Sequence, residues 1–577
     1  MTDADGPRIQ GKLMRFGHAL RGILICAALL PVTGCGGGGG GAQASAVPAS
    51  QSATGTSSDG WIPGVYAPAS DYAERCAVPR TGTDPYTGKP YPDVPGTVTD
   101  QNNWLRSWTH ALYYWYSEVP DLDPGLYSTA QYFDLMKTAQ TDPSGAPKDR
   151  FHFSYPTATW EAMEQGTSVG YGVQWAIVSA SPPRKVIVAY TQPGTPAASA
   201  PADLVRGAQL LDVDGVDVVN STTATDIDTI NAALSPTTNG ETHSFTVLDP
   251  GSSTPRTFTM QAQDITDQPV LLVKTLSTAA GTVGYILYND QIDVSAESEL
   301  IQAINTLKAD GVTHLVLDLR YNGGGLLGLA SELAYMIAGP TETAGETFYV
   351  QQFNDQYPTT NPVTGGPITP MPFFDTTQGF SVAAGQALPT LDLSSVYVLT
   401  SAETCSASEA IINGLRGAGV QVYQFGSTTC GKPYGFYPQD NCGTTYFSIE
   451  FKGVNAQGFG DFGDGFSPAN TATSPGASLP GCSVADDFSH ALGDPHEAVL
   501  SAALGYMADP SSGSCPAPSG LGSPALAAKR ARSAHPSALA PARDADRAQM
   551  TAAALAAEAR RVPAPARRAS GRGATVL

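Results

Sequence analysis

Two short stretches of this 577-residue chain hold residue types capable of nucleophilic chemistry. GSTTCGKPYGF, residues 426–436, carries Gly426, Gly431 and Lys432 in the G-x-x-x-x-G-K spacing of a phosphate-cradling loop. A nucleotide loop continues into a helix with Ser or Thr after the lysine. Here Pro433 follows, offers no side-chain oxygen and pushes Lys432 away from helical geometry. Lys432 therefore needs another partner, and TSAETCSASEAII, residues 400–412, supplies one in Ser406. A serine is a weak nucleophile until a base takes its proton, and a lysine serves as that base only where burial lowers its pKa from about 10.4. Lys432 closes an apolar run beside aromatic residues, where such desolvation is expected. Ser406-Ala-Ser-Glu409 also reads as an S-x-x-E capping box, which would merely satisfy N–H groups at a helix start.

The elements around these residues must place them. VYVLT reads as a strand, SASEAIINGLRG as a helix and VQVYQF as a strand, so Ser406 falls at a strand-to-helix turn beside backbone N–H groups suited to an oxyanion. Upstream, TVGYILYND, ESELIQAINTLKAD, THLVLDL, the loop RYNGGG and LLGLASELAYMIAG continue the strand–helix alternation, with an irregular insertion over roughly 340–390. Residues 166–268 switch to short β-rich runs, VQWAIVS, KVIVAYT, AQLLDVDG and HSFTVLD, with one helix, TDIDTINAAL. Before them, residues 99–165 show aromatic and apolar residues at helical spacing, read as core and given no chemistry.

Bulk properties exclude several functions. The net charge of −21 divides into +2 over residues 1–35, −30 over 36–515 and +7 over 516–577. A body this acidic repels nucleic acid. Arg15 and Arg21 precede the apolar run GILICAALLPVTG, too short to span a bilayer, so the N-terminus reads as an export signal, with Met14 a tidier start than Met1. The run ends at Val32-Thr33-Gly34-Cys35, which resembles a bacterial lipobox and implies lipidation of Cys35. Glycines 36–41 open a flexible tether. Six cysteines remain, an even number that favours disulfides, with Cys430 and Cys442 expected as a local pair across Gly435 and Pro438. No C-x-x-C pair supports zinc. His490 and His496 beside Asp487 and Asp494 make a Ser/His/Asp scheme conceivable, outside any placed motif. The Ala/Arg/Pro-rich stretch 516–577 reads as a disordered tail.

Three ordered motifs, Asp318-Leu319-Arg320-x-Asn322-x-Gly324-Gly325, Ser406-Ala407-Ser408-Glu409 and Thr429-x-Gly431-Lys432, resemble the C-terminal processing (tail-specific) protease family. The resemblance spans roughly 99–470. It implies Ser406 as nucleophile, Lys432 as general base, and an oxyanion hole from the N–H of Ala407 and of Gly324 or Gly325. GYGVQW with LVRGAQLLDVDGVDV resembles a PDZ domain, in which Gly170, Tyr171, Gly172 and Val173 would present N–H groups to a peptide carboxylate. The chain departs from the family in having Phe436, not glutamine, four residues beyond the lysine, with Gln439 three further on. It also has Gly417 where some members carry an acidic residue.

The expected fold is multidomain α+β: signal segment 1–35, tether and irregular region 36–98, helical segment 99–165, PDZ-like domain 166–268, α/β protease core with a mixed sheet 269–515, and tail 516–577. The expected function is that of an exported serine endopeptidase, anchored by lipid on the periplasmic side of the outer membrane. It would act on protein or peptide substrates without metal, cofactor, nucleotide or nucleic acid. The alternatives are a non-catalytic PDZ-type peptide-binding lipoprotein and an esterase using the same serine.

Overall fold

A helix, α1 (Val98–Leu112), begins at Thr97, whose hydroxyl accepts the N–H of Asp100 while the Asp100 carboxylate accepts that of Thr97. The computed structural model describes residues 61–520 except 165–166, 474–475 and 511–514; the signal segment with Cys35, the tether to residue 60 and the tail beyond 520 lie outside the described residues. α1 buries Trp104, Leu105 and Trp108 with Phe133 and Tyr446. The expected helical run does not continue through YYWYSEVP. The chain leaves helical geometry at Tyr113 and spreads Tyr113, Tyr114 and Trp115 into an aromatic cluster with Trp160, Phe436 and Phe447. Long-range aromatic burial there outweighs local helix propensity.

Residues 173–261 form an antiparallel sheet: β1 (Val173–Ser179), β2 (Lys185–Thr191), β3 (Gln209–Val213), β4 (Thr242–Leu248) and β5 (Arg256–Gln261), in spatial order β5-β4-β3-β2-β1. Helix α2 (Ala224–Leu234) packs Ile227 and Ile230 on Leu210, Phe245 and Val247. β1 lies at the end of this strand order.

A mixed six-stranded sheet follows: β6 (Val270–Thr278), β7 (Gly281–Tyr288), α3 (Ala296–Ala309), β8 (His314–Asp318), α4 (Leu327–Thr343), β9 (Ser395–Thr400), α5 (Ala407–Gly417), β10 (Gln421–Gly426), β11 (Gly481–Ser483) and α6 (Ala498–Ala508). Its spatial order is β6-β7-β8-β9-β10-β11, with β6 antiparallel to β7 and the other neighbours parallel. Alternate residues of β7 face opposite layers. Ile286 and Tyr288 join Leu300, Leu333 and Ile411 of α3, α4 and α5; Val283, Tyr285 and Leu287 join Val499 and Leu500 of α6 and Ala176 and Ala189 of the preceding sheet. Both faces are covered, as the near-continuous apolar strands require. The architecture is multidomain α+β.

Two expectations are corrected. The insertion after 340 is not wholly irregular: Thr347–Phe353 is a strand paired with Phe451–Val454, a partner about a hundred residues away that no local pattern reveals. Cys430 does not pair with Cys442. The disulfides are Cys76–Cys442, Cys405–Cys430 and Cys482–Cys515. Cys442 sits at the turn of a hairpin, away from Cys430. Tyr434–Gly435 pairs with Phe451–Val454, and Gln439–Asn441 pairs with Thr444–Phe447, which carries Cys442 away to Cys76.

Candidate active site

β9 ends at Thr400, and the turn 401–406 delivers Ser406 to the cap position just before α5. Ser406 adopts φ 56° and ψ −111°, a conformation a side-chain-bearing residue rarely holds. Such strain persists only where surroundings fix it. Thr404 donates its hydroxyl to the carbonyl of Leu319, Ser401 to that of Arg320, and the Cys405 N–H reaches the carbonyl of Asn322. The turn is thereby stitched to the 319–325 loop.

Lys432, on the loop after β10, lines the same cavity, so that the Ser406 turn forms one wall and the Lys432 loop another, with Leu327, Tyr349, Phe451 and Phe462 between. Ser406 is 7% exposed and Lys432 2%. Among the described residues, Nζ of Lys432 has no hydrogen-bond partner. It lies 4.1 Å from the ring centroid of Phe436 and 5.1 Å from that of Phe151. Burial lowers its pKa to about 7, against the weaker upward pull of Asp149 and Glu409. An amine held there is partly neutral at neutral pH and able to accept a proton.

Glu409 joins the two walls. Its carboxylate accepts the N–H of Ser406 at 3.0 Å, of Gly431 at 2.9 Å and of Lys432 at 2.8 Å, and the Thr429 hydroxyl at 2.5 Å. Burial raises its pKa, while these donors favour the ionised form. The capping contact is therefore present, and the same side chain also holds the lysine loop. Cys405, Cys430 and Glu409 bring three donor atoms within 4.8 Å, but the two sulfurs are bonded to each other.

The two glycines separate. A Cβ on Gly324, at φ 97°, would stand 2.7 Å from the Cys405 carbonyl oxygen and 2.8 Å from the Ala407 nitrogen, so Gly324 abuts the Ser406 turn. Its own N–H donates to Asn322 Oδ1 at 2.9 Å. Gly325 abuts Gln291 instead, where a Cβ would come within 2.2 Å of its carbonyl. Asp318 and Arg320 of the same motif form a buried ion pair that extends to Asp486 and Glu497. That network sets the loop's root.

The remaining residues lie elsewhere. Gly170 ends a short strand paired with Gln263–Thr266, Tyr171 is buried in the β1–β5 core, and Gly172, at φ 71°, turns the chain into Val173, the first residue of β1. His490 pairs with Asp487 and His496 with Asp494 on exposed loops, and neither lines the cavity. After Lys432 comes a short strand, not the helix a nucleotide loop needs.

Sequence reasoning missed the loop 149–152. Phe151 faces Nζ, Asp149 acts on its charge, and Arg150 donates to the carbonyls of Gly431 at 3.3 Å and Gly463 at 2.8 Å. Asp149 is fixed by the Tyr113 hydroxyl at 2.7 Å. No spacing signal marks this loop, since its partners lie some 280 residues onward.

Residues 282–435 match the model of peptidase family S41. A carboxyl-terminal-processing protease of Picosynechococcus sp. is 35% identical over 142 residues, 25% of this chain and 32% of that protein. One from Synechocystis sp. is 32% identical over 142 residues, 24% of this chain and 32% of that protein. The matched stretch thus spans about a third of these relatives. A crystal structure from Bacteroides fragilis, of a protein assigned to the S41 proteases, shares the fold with a TM-score of 0.51 at 20% identity, over 73% of this chain and 98% of that one.

Proposed function

With a peptidase family S41 segment that spans both Ser406 and Lys432, we propose that this chain is a serine endopeptidase working through a Ser/Lys dyad. The observation that carries the reading is the buried, unpaired amine of Lys432 on the cavity that holds the strained Ser406. Lys432 takes the Ser406 proton as the hydroxyl attacks a peptide carbonyl. The N–H groups of Ala407 and Gly325 receive the developing oxyanion, because Gly324 commits its own N–H to Asn322. Lys432 then gives the proton to the leaving amine, and water releases the acyl group from Ser406.

Substrate would be protein or peptide, recruited along β1. That strand ends its sheet order and opens with Val173 just after the Gly172 turn, an arrangement suited to pairing with an extended peptide whose terminal carboxylate meets the 170–173 turn. Export and a lipid anchor at Cys35 complete the proposal and rest on the sequence.

The test incubates the full oxidised chain with casein beside Ser406→Ala and Lys432→Ala variants of confirmed fold. Cleavage by the parent alone supports the dyad. Cleavage that survives Lys432→Ala overturns Lys432 as base, and a folded parent that cuts no peptide bond but binds peptide favours the binding-protein reading.

A further inference from the structure

Of the three disulfides among the described residues, one ties the Ser406 turn to the Lys432 loop. Cys405 immediately precedes Ser406, and Cys430 stands two residues before Lys432, with all of α5 and β10 between them. The bridge therefore closes the loop that carries nucleophile and base at its ends. A backbone rung runs beside it, from the Cys430 N–H to the Thr404 carbonyl at 3.0 Å. Glu409 is a further tie between the same two segments, and it is non-covalent.

Both ends of this closure hold conformations the chain would leave if free. Ser406 sits in a strained region of backbone space, and Lys432 keeps an amine buried without a hydrogen-bond partner. Relaxation of either end moves it away from the other. A covalent tie adjoining both ends opposes that relaxation directly, whereas Cys76–Cys442 and Cys482–Cys515 tie segments outside the cavity.

We propose that Cys405–Cys430 is a positioning pair that keeps Ser406 and Lys432 in register, and that its opening by a dithiol reductant switches the site off. This rests on the Ser/Lys reading above. A reductant thiolate attacks Sγ of Cys430, the half-exposed partner, and Cys405 leaves as a thiolate that takes up a proton. The second reductant thiol then displaces Cys430 and closes the reductant's own disulfide. Two electrons and two protons pass to the protein, which ends with two thiols.

The test uses the full oxidised chain and a Cys405→Ser/Cys430→Ser chain, with melting temperatures recorded for both. Casein cleavage is followed across pH and across dithiothreitol concentration, with peptide mapping to show which bridge is open. Misplacement on the scale of an ångström costs about 100-fold, so kcat should fall about 10- to 100-fold in the double variant while KM changes little. The acid limb of its pH profile should move toward the ordinary amine range as Lys432 gains water. The parent should fall to the variant's rate when the 405–430 bridge opens and recover on reoxidation, and the variant's residual rate should ignore reductant. A double variant with the parent's kcat and pH profile, or a parent that keeps its rate with this bridge mapped open, overturns the proposal.

If the oxidised parent cuts nothing, the peptidase reading fails separately. The tie itself is then read from hydrogen exchange of residues 427–432. At least about tenfold faster exchange without the bridge upholds it as a positioning tie, and unchanged exchange overturns it.

Discussion

The carboxylate of Glu409 accepts the backbone N–H of Lys432 at 2.8 Å while accepting that of Ser406 at 3.0 Å. A residue three positions into a helix thus fixes both the start of that helix and a loop 23 residues onward. Replacing it by glutamine keeps the shape but puts an NH₂ group where four donors converge. Glu409→Gln is expected to cost about 1–3 kcal/mol of stability and to lower kcat more than it changes KM. Denaturant unfolding and steady-state kinetics measure the two effects, and a variant matching the parent in both would remove Glu409 from the site.

The pH profile of kcat/KM should rise through about 7, the pKa to which burial brings Lys432, because only the neutral amine accepts the Ser406 proton. Activity is therefore lost as pH falls below that point. An acid limb centred near the ordinary lysine value would contradict the burial argument.

Stability should carry the same signature with a defined sign. Lys432 has a folded pKa of about 7 against 10.5 for an unperturbed lysine, so between those values the unfolded chain binds the extra proton. Stability supplied through this group rises with pH across that window. Lys432→Met should abolish that part of the slope and be more stable than the parent at neutral pH. Urea unfolding of both chains at about pH 7.5 and about pH 9.5 gives the comparison; equal slopes would place the amine in water.

Asp149 pulls the Lys432 pKa upward from the neighbouring loop. Asp149→Asn removes that charge and keeps one acceptor oxygen, enough for the Phe151 N–H, while its NH₂ can donate to the Tyr113 oxygen. The acid limb should move below its parent position, opposite in sign to the shift expected on losing the 405–430 bridge. A limb that stays in place would show that the loop acts through packing alone.

Gly324→Ala brings a Cβ within 2.7 Å of the Cys405 carbonyl and 2.8 Å of the Ala407 nitrogen, at a φ of 97° that disfavours any side chain. Backbone must move, and the backbone concerned carries the proposed nucleophile and a proposed oxyanion donor. We expect kcat to fall about 100-fold or more, with a lowered melting temperature. Near-parent turnover would separate Gly324 from the reacting centre.

The strand–helix alternation from 281 to 426 was legible because each buried element has its own period and punctuation. The same locality made the 405–409 turn readable. The helical reading of residues 113–119 failed because those aromatic side chains pack against Phe436 and Phe447, more than three hundred residues away. The Cys430–Cys442 pairing failed for a related reason: Tyr434–Gly435 is held by Phe451–Val454, and Cys442 sits in a hairpin turn bonded to Cys76, 366 residues away.

By itself, the sequence determined which residues are candidates for the chemistry, their order and most of the elements that hold them, since types, spacing and periodicity are local properties. It also named Glu409 as a cap. Only the tertiary structure decided that Glu409 holds the lysine loop as well, that Asp149 and Phe151 face the amine, that Gly324 rather than Gly325 abuts Ser406, and that a disulfide joins the two walls. Burial, left-handed backbone and pKa depend on atoms brought together from distant parts of the chain, and no sequence period encodes that proximity.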